Sequence, residues 1–65
     1  MAELTFGEKL KKMRELKGLT QTELADRIGI KQPMIVRYEQ NTLDCSIRIA
    51  QSLAKALGCE LKDLI

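Results

Sequence analysis

The stretch Gln21–Gln40 constrains the fold most, because it contains two helical patterns with almost no chain between them. The segment Thr20–Glu23 has the capping-box pattern, in which the cap and the third helical residue satisfy each other's backbone donors. Gly29 ends this helix. The next helix begins within Lys31–Pro33, where proline is tolerated because first-turn N–H groups have no intrahelical partner. Two helices joined by about three residues must cross at a steep angle.

Three further helices are predicted around this pair. The first begins with a second capping box, Thr5–Glu8, the fourth is capped by Asp44 or Ser46, and a short fifth covers Glu60–Ile65. Apolar residues recur at helical spacing and predict the core. The predicted core positions are Phe6, Leu10, Met13, Leu16, Leu24, Ala25, Ile28, Ile30, Ile35, Tyr38, Ile47, Ala50, Leu53, Ala54 and Leu57. The sequence therefore predicts one all-α domain of five helices over residues 1–65.

The chain of 65 residues is short enough that its core is small, since such a domain buries only ~60% of its unfolded surface. No apolar run approaches the ~20 residues that span a bilayer, and the N-terminus lacks a secretory pattern. We therefore expect a cytoplasmic protein with no membrane partner. Cys45 and Cys59 flank the fourth helix, which would hold them about 20 Å apart, so both are predicted to be free thiols.

The composition argues against several function classes. The chain has no His, and no Ser or Cys stands beside a candidate base, so an enzyme is not expected. Two cysteines without His do not make a zinc site, and we expect no metal or other cofactor. Residues 9–37 hold eight basic and three acidic side chains, a distribution that favours a polyanionic partner. Ordinary solvated helix faces would explain part of the same charge.

The outward face of the third helix suggests which polyanion. Arg37 has the geometry for a bidentate bond to guanine and Gln32 for one to adenine, while Pro33 and Val36 suit thymine methyl groups. Gln21, with the free N–H groups at the start of the second helix, suits a phosphate. These residue types favour double-stranded DNA.

Three stretches together resemble one known family: FGEKLKKMRELKGLTQ, GLTQTELADRIGIKQPMIVRYEQ and IAQSLAKALGCELKDLI. They are similar to the Cro/phage-repressor type (XRE-like) of helix-turn-helix DNA-binding domain, and the likeness covers nearly the whole chain. The resemblance implies a five-helix, lambda-repressor-like domain with the helix-turn-helix at helices 2 and 3. It also implies a transcriptional regulator, a repressor that occupies an operator with helix 3 in the major groove.

The resemblance implies roles for individual positions as well. Arg14 and Glu39 fall at an ion pair that ties helix 1 to the end of helix 3. The residues expected at base edges are Lys31, Gln32, Pro33, Val36 and Arg37, with Lys31 also suited to a phosphate. The residues expected at phosphates are Thr20, Gln21, Gln40, Asn41, Thr42 and Arg48. Lys31 stands where a Ser or Thr cap is common, and Asn41 replaces the usual Gly.

The apolar end of the chain predicts a second copy as partner. Leu61, Leu64 and Ile65 exceed what so short a helix needs, although they would alternatively pack under helix 1. A weak homodimer, completed on DNA, predicts a pseudo-palindromic operator. We expect no small-molecule ligand, and a nucleoid-associated protein of bacterial or phage origin. The alternative function is a protein-interaction module, such as an antitoxin or a coactivator piece.

Overall fold

The computed structural model describes residues 4–65, and over these residues it contains four α-helices followed by one turn of 3-10 helix. The α-helices are α1 (Phe6–Leu16), α2 (Gln21–Ile28), α3 (Gln32–Glu39) and α4 (Ile47–Leu57). The prediction of an all-α domain is confirmed, but the prediction of a fifth α-helix is wrong. Only Leu61–Asp63 is helical after Gly58, as a 3-10 turn closed by the i→i+3 bonds from the Asp63 N–H to the Glu60 carbonyl and from the Leu64 N–H to the Leu61 carbonyl. One i→i+4 bond follows, from the Ile65 N–H to the Leu61 carbonyl, and a single bond of this kind does not make an α-helix.

Hydrogen bonds local in sequence set the starts of the helices. Thr5 Oγ1 accepts from the Glu8 N–H at 3.2 Å, and Glu8 Oε1 accepts from the Thr5 N–H at 3.0 Å. The same reciprocal pair joins Thr20 and Glu23 at 3.1 and 2.9 Å. The bond from each cap's backbone N–H lowers the pKa of Glu8 and of Glu23, because the ionised carboxylate is the better acceptor. Ser46 caps α4, since its Oγ accepts from the Ile49 N–H at 3.2 Å.

The core lies where α2, α3 and α4 meet α1 and the C-terminal turn. Its buried apolar members are Leu10, Leu24, Ala25, Ile35, Tyr38, Leu53, Ala54, Leu57 and Leu64. Two predicted core positions are wrong, since Leu16 is 69% and Ile47 59% exposed. Leu16 is the last residue of α1, about 120° around the helix from Leu10. Ile47 is the first residue of α4, and helical side chains lean toward the N-terminus, past the helix's own start.

Both cysteines are free, as the sequence predicts. Burial raises the pKa of the Cys45 thiol and, with a smaller contribution from Asp63, that of the Cys59 thiol. Each packs as a small apolar residue against the core.

The start of α1 touches the end of α3 backbone to backbone. Gly7 is buried, and a Cβ built on it would lie 2.3 Å from the carbonyl oxygen of Glu39 and 2.6 Å from that of Tyr38. Both neighbours are main-chain atoms of a helix end, so neither can move aside as a flexible side chain would. Only glycine fits at this crossing, a constraint that the sequence alone did not indicate.

Gly7→Ala is expected to destabilise the domain by about 1–2 kcal/mol, because overpacking against backbone costs ~2–3 kcal/mol and the gain in helix propensity offsets only ~1 kcal/mol of it. Urea unfolding followed by circular dichroism measures the difference. Lys11→Ala, at an exposed position of the same helix, is the control and should change the free energy of unfolding by no more than about 0.5 kcal/mol. A Gly7→Ala protein as stable as the parent would contradict the close approach.

Candidate nucleic-acid interface

One side of helix α3 is buried against the rest of the domain, and the opposite side faces solvent. Ile35, Tyr38 and Glu39 are buried on one side of it. The other side carries the five residues for which base contacts are predicted, and all of them have access to solvent. Of these five, Lys31, Pro33 and Arg37 are exposed, and Gln32 and Val36 are partly buried.

The first turn of α3 has little support of its own. Lys31 is the cap in an extended conformation and makes no side-chain capping hydrogen bond, because an ammonium group only donates. The Lys31 carbonyl accepts from the Met34 N–H at 3.0 Å, and Pro33 removes one of the donors that a cap would serve. The side chain of Lys31 is therefore free to point outward.

The far end of α3 is fixed by an ion pair to α1. Arg14 Nε donates to Glu39 Oε2 at 2.6 Å and Arg14 Nη2 donates to Glu39 Oε1 at 3.2 Å, the bidentate arrangement that guanidinium and carboxylate favour. Both residues are only 9% exposed. Hydrogen bonding to Glu39 raises the pKa of Arg14 above its usual value. Arg14 Nη1 also donates to the Leu19 carbonyl at 2.8 Å, so the pair reaches the residue before the α2 cap.

Two glutamine side chains extend the hydrogen bonding from the Arg14–Glu39 pair to the solvent-facing side of α3. Gln21 Nε2 donates to Glu39 Oε1 at 3.1 Å, and Gln32 Nε2 donates to Gln21 Oε1 at 2.9 Å. Gln21 is the first residue of α2 and Gln32 the first of α3, so the two helix starts are joined directly. From the sequence, Gln21 is expected at a phosphate and Gln32 at a base, and neither expectation includes this link. Glutamine at the first position of both helices was the one signal available for it.

The six residues expected at phosphates all have solvent access, but several side chains already have intramolecular partners. The Thr20 hydroxyl serves the α2 capping box. Thr42 Oγ1 donates to the Arg37 carbonyl at 3.3 Å. Gln40 and Arg48 are exposed, Gln40 after the last residue of α3 and Arg48 in the first turn of α4.

Asn41 ties α3 to α1 as well. Its backbone is left-handed, with φ of 59°, as the sequence predicts. Its side-chain Oδ1 accepts from the Gly7 N–H at 2.9 Å, and its Nδ2 donates to Thr5 Oγ1 at 2.8 Å. Asn41 therefore satisfies a first-turn donor of α1 that has no intrahelical acceptor.

The three residues predicted at the dimer contact differ in how far they are buried. Leu64 is fully buried in the core, so its assignment to a subunit contact is corrected. It fills the space beneath the helices because the 3-10 turn folds back against α4. Ile65 is 62% exposed and Leu61 partly buried. Ile65 and Ile47 line an open cavity of about 450 Å³, together with Phe6, Asn41, Leu43, Asp44, Cys45 and Ala50.

Other chemistry has no visible site in the part of the chain that the structure describes. Over residues 4–65, no group of three or more His, Cys, Asp or Glu side chains is arranged to hold a metal ion. No helix in the same range is both long and apolar enough to cross a bilayer. Every buried side-chain nitrogen or oxygen in this range has a hydrogen-bond partner.

Comparison with known proteins gives consistent matches. The helix-turn-helix family profile matches residues 10–64. An uncharacterised HTH-type transcriptional regulator, MJ0272 of Methanocaldococcus jannaschii, is 36% identical, over 86% of this chain and 85% of its own length. The antitoxin HipB of Escherichia coli is 41% identical, over 83% of this chain and 67% of its own. Among solved structures, the restriction-modification controller protein C.AhdI of Aeromonas hydrophila superposes with a TM-score of 0.89 at 32% identity, covering 92% of this chain and 91% of that one.

Asn41→Gly is expected to destabilise the domain by about 1–2 kcal/mol, although glycine is locally the better residue at positive φ. Two hydrogen bonds are lost, and the N–H of buried Gly7 is left without its acceptor. Thermal or urea unfolding measures the effect. Asn41→Asp keeps the acceptor for Gly7 but loses the donor to Thr5, so it should lie between glycine and the parent. A stabilised Asn41→Gly protein would show that backbone strain outweighs these bonds.

Proposed function

Because the chain belongs to the helix-turn-helix family of the Cro/phage-repressor type, we propose that it binds specific sequences of double-stranded DNA and regulates transcription as a repressor. The observation that carries the proposal is the open face of α3, whose far end is fixed by the buried Arg14–Glu39 pair. A helix whose angle is fixed and whose face mixes amide, guanidinium and apolar groups suits the major groove.

Bases are read by the first turns of α3. Arg37 is exposed and belongs to neither of the two ion pairs found among residues 4–65, so its guanidinium is available for guanine N7 and O6. Gln32 offers an amide to adenine. Pro33 and Val36 offer apolar contact to thymine methyl groups, and Lys31 reaches a base or the adjacent phosphate.

Phosphates are held on both sides of α3. At the start of α2, Thr20 and Gln21 accompany first-turn N–H groups, which attract anions. After α3, Gln40 and Arg48 offer exposed donors. Asn41 keeps one Nδ2 hydrogen after its bond to Thr5, and the Thr42 hydroxyl can exchange its long bond to the Arg37 carbonyl for a phosphate oxygen. These contacts set orientation and carry no direct sequence information.

The protein acts as a weak homodimer that is completed on DNA. We assign the subunit contact to Ile65 and Leu61, and we add Ile47, since Ile47 and Ile65 are exposed apolar side chains on one cavity. Asn41 also lines that cavity, and it belongs to the loop proposed to touch phosphate. Contact between two copies there lets both α3 helices face the same duplex, about 34 Å apart, over a pseudo-palindromic operator.

Repression follows from occupancy, since a dimer seated on an operator excludes polymerase from overlapping DNA. Such a protein works in the cytoplasm, at the nucleoid of a bacterium or in a phage-infected cell. The likeness to the antitoxin HipB supports a second candidate, a module whose main partner is another protein. No catalytic step belongs to either function.

Selection from random duplexes, followed by salt titration of the enriched site, tests the proposal. The expected result is a pseudo-palindrome with half-sites about one turn apart. The affinity should fall steeply with salt, with a slope of about −0.9 per neutralised phosphate. Enrichment of a single half-site would contradict the dimer. No enrichment, with a shallow salt slope, would contradict DNA reading and favour the protein-interaction module.

Arg37→Ala should weaken binding to the selected operator by ~1–3 kcal/mol and relax the preference at one base pair. Lys55→Ala is the matched control, because it also removes one exposed positive charge but lies on α4. Its affinity and base preference should match those of the parent in a fluorescence anisotropy titration. If Arg37→Ala weakens all duplexes equally, Arg37 holds a phosphate and reads no base.

A further inference from the structure

A continuous line of hydrogen bonds runs from the buried ion pair to the open face of α3, through Glu39, Gln21 and Gln32. We propose that Glu39 is a positioning residue: acting through Gln21, it fixes which way the Gln32 amide points and thereby selects adenine at the base pair that Gln32 reads. This inference rests on the proposed DNA-binding function and adds a determinant of specificity that touches no DNA.

The orientation follows from donor and acceptor chemistry. An ionised carboxylate only accepts hydrogen bonds, so the Gln21 group that meets Glu39 Oε1 at 3.1 Å must be its Nε2. The Gln21 carbonyl oxygen then faces α3, where it accepts from Gln32 Nε2 at 2.9 Å. The amide of Gln32 is therefore turned with its nitrogen toward Gln21. If these hydrogen bonds ran in the opposite direction, the Gln21 oxygen would meet a carboxylate oxygen of Glu39. Both atoms are acceptors, and no proton would lie between them.

The Gln32 amide then presents a single arrangement of donor and acceptor to DNA. With one Nε2 hydrogen committed to Gln21, Gln32 presents its carbonyl oxygen and a single N–H. Adenine offers the N6 amino group as donor and N7 as acceptor in the major groove, which matches that pattern. Guanine offers two acceptors, O6 and N7, so the Gln32 oxygen finds no donor on it.

Glu39 can impose this orientation because its own position is fixed. Arg14 holds both carboxylate oxygens, and Glu39 is only 9% exposed. Gln21 is partly buried and meets Glu39 on one side and Gln32 on the other. The orientation thus passes from a buried charge to a partly exposed amide in two hydrogen bonds.

The variant Glu39→Gln is designed to reverse the direction of the hydrogen bonds that join Glu39, Gln21 and Gln32. The new amide keeps its oxygen toward Arg14 Nε, the shorter contact at 2.6 Å, which places its NH2 where Oε1 met Gln21 and gives up the 3.2 Å bond from Arg14 Nη2. Gln21 then accepts at that end and donates to Gln32, which turns its oxygen inward and presents two N–H groups. Two donors match O6 and N7 of guanine. The affinity ratio of adenine to guanine at this base pair should fall about tenfold, within the range for one bidentate contact.

The experiment measures that ratio by titrating the parent and each variant with duplexes that differ only at this base pair. Selection from random duplexes with the Gln32→Ala variant identifies this base pair as the position at which the base preference changes. Glu39→Gln should lower the ratio in the parent background and leave it unchanged in the Gln32→Ala background. An equal loss of affinity for both duplexes would overturn the proposal, because a merely structural role weakens binding without changing preference.

A second variant covers the case in which Glu39→Gln does not fold. Gln21→Met leaves the Arg14–Glu39 pair intact and removes both the donor and the acceptor that link Glu39 to Gln32, so the ratio should again fall. Gln40→Met is its matched control, an exposed glutamine proposed to hold phosphate, and it should weaken binding to both duplexes with the ratio kept. A ratio unchanged in Gln21→Met would also overturn the proposal.

The outcomes separate this inference from the function beneath it. If no duplex is enriched by the parent protein, the DNA-binding function fails. If the parent selects a site but Gln32→Ala shifts no base preference, the assignment of Gln32 to a base fails, and the positioning role of Glu39 with it. If Gln32→Ala shifts a preference that the variants at Glu39 and Gln21 keep, the positioning role alone is wrong.

Discussion

The buried pair of Arg14 and Glu39 is the contact on which the rest of the structure depends. It joins residues 25 positions apart in the sequence and is only 9% exposed at each partner. Removal of two charges from water is costly, and here the cost is offset by two direct hydrogen bonds and a third to the Leu19 carbonyl. Removing one partner of such a pair costs ~3–5 kcal/mol, a large share of the ~5–15 kcal/mol that stabilises a typical domain.

The two ends of α3 are restrained very differently. Its C-terminal end meets α1 through the ion pair, the backbone contact at Gly7 and the side chain of Asn41. Its first turn has no capping side chain and one side-chain link, from Gln32 to Gln21. A helix fixed at its far end keeps its overall angle, although the backbone of its first turn lacks a side-chain cap. Such a helix suits a reader of bases, because Glu39 holds its angle through Arg14 and is linked through Gln21 to the Gln32 amide.

The apolar residues at the end of the chain divide between two tasks. Leu64 completes the core. Because a domain this small has little apolar surface to bury, it depends on the turn after α4 to bring this side chain into the core. Ile65, its neighbour, is exposed, and Lys9 Nζ donates to the Ile65 carbonyl at 3.2 Å, holding the end of the chain beside α1. Together with Ile47, Ile65 forms an apolar surface beside the loop that follows α3. Adjacent residues therefore differ in role: Leu64 stabilises the fold, and Ile65 is available to a partner.

The sequence by itself determined the features that depend on hydrogen bonds between near neighbours. The capping boxes at Thr5 and Thr20 and the left-handed Asn41 are local in this sense, so the starts of α1 and α2 and the end of α3 were predictable. Helical periodicity located most of the core for the same reason. The Arg14–Glu39 contact was expected from the resemblance to a family, since no spacing rule brings these two residues together.

Only the tertiary structure decided what depends on two elements meeting. Packing of α1 against α3 requires glycine at position 7 and directs the side chain of Asn41 toward the start of α1. Burial of Leu64 and exposure of Ile65 depend on how the last turn folds back, which apolar character alone does not fix. The orientation of Gln32 was out of reach for the same reason. It is set through Gln21 by a carboxylate at the other end of α3, and only the folded chain brings those three side chains within hydrogen-bond distance.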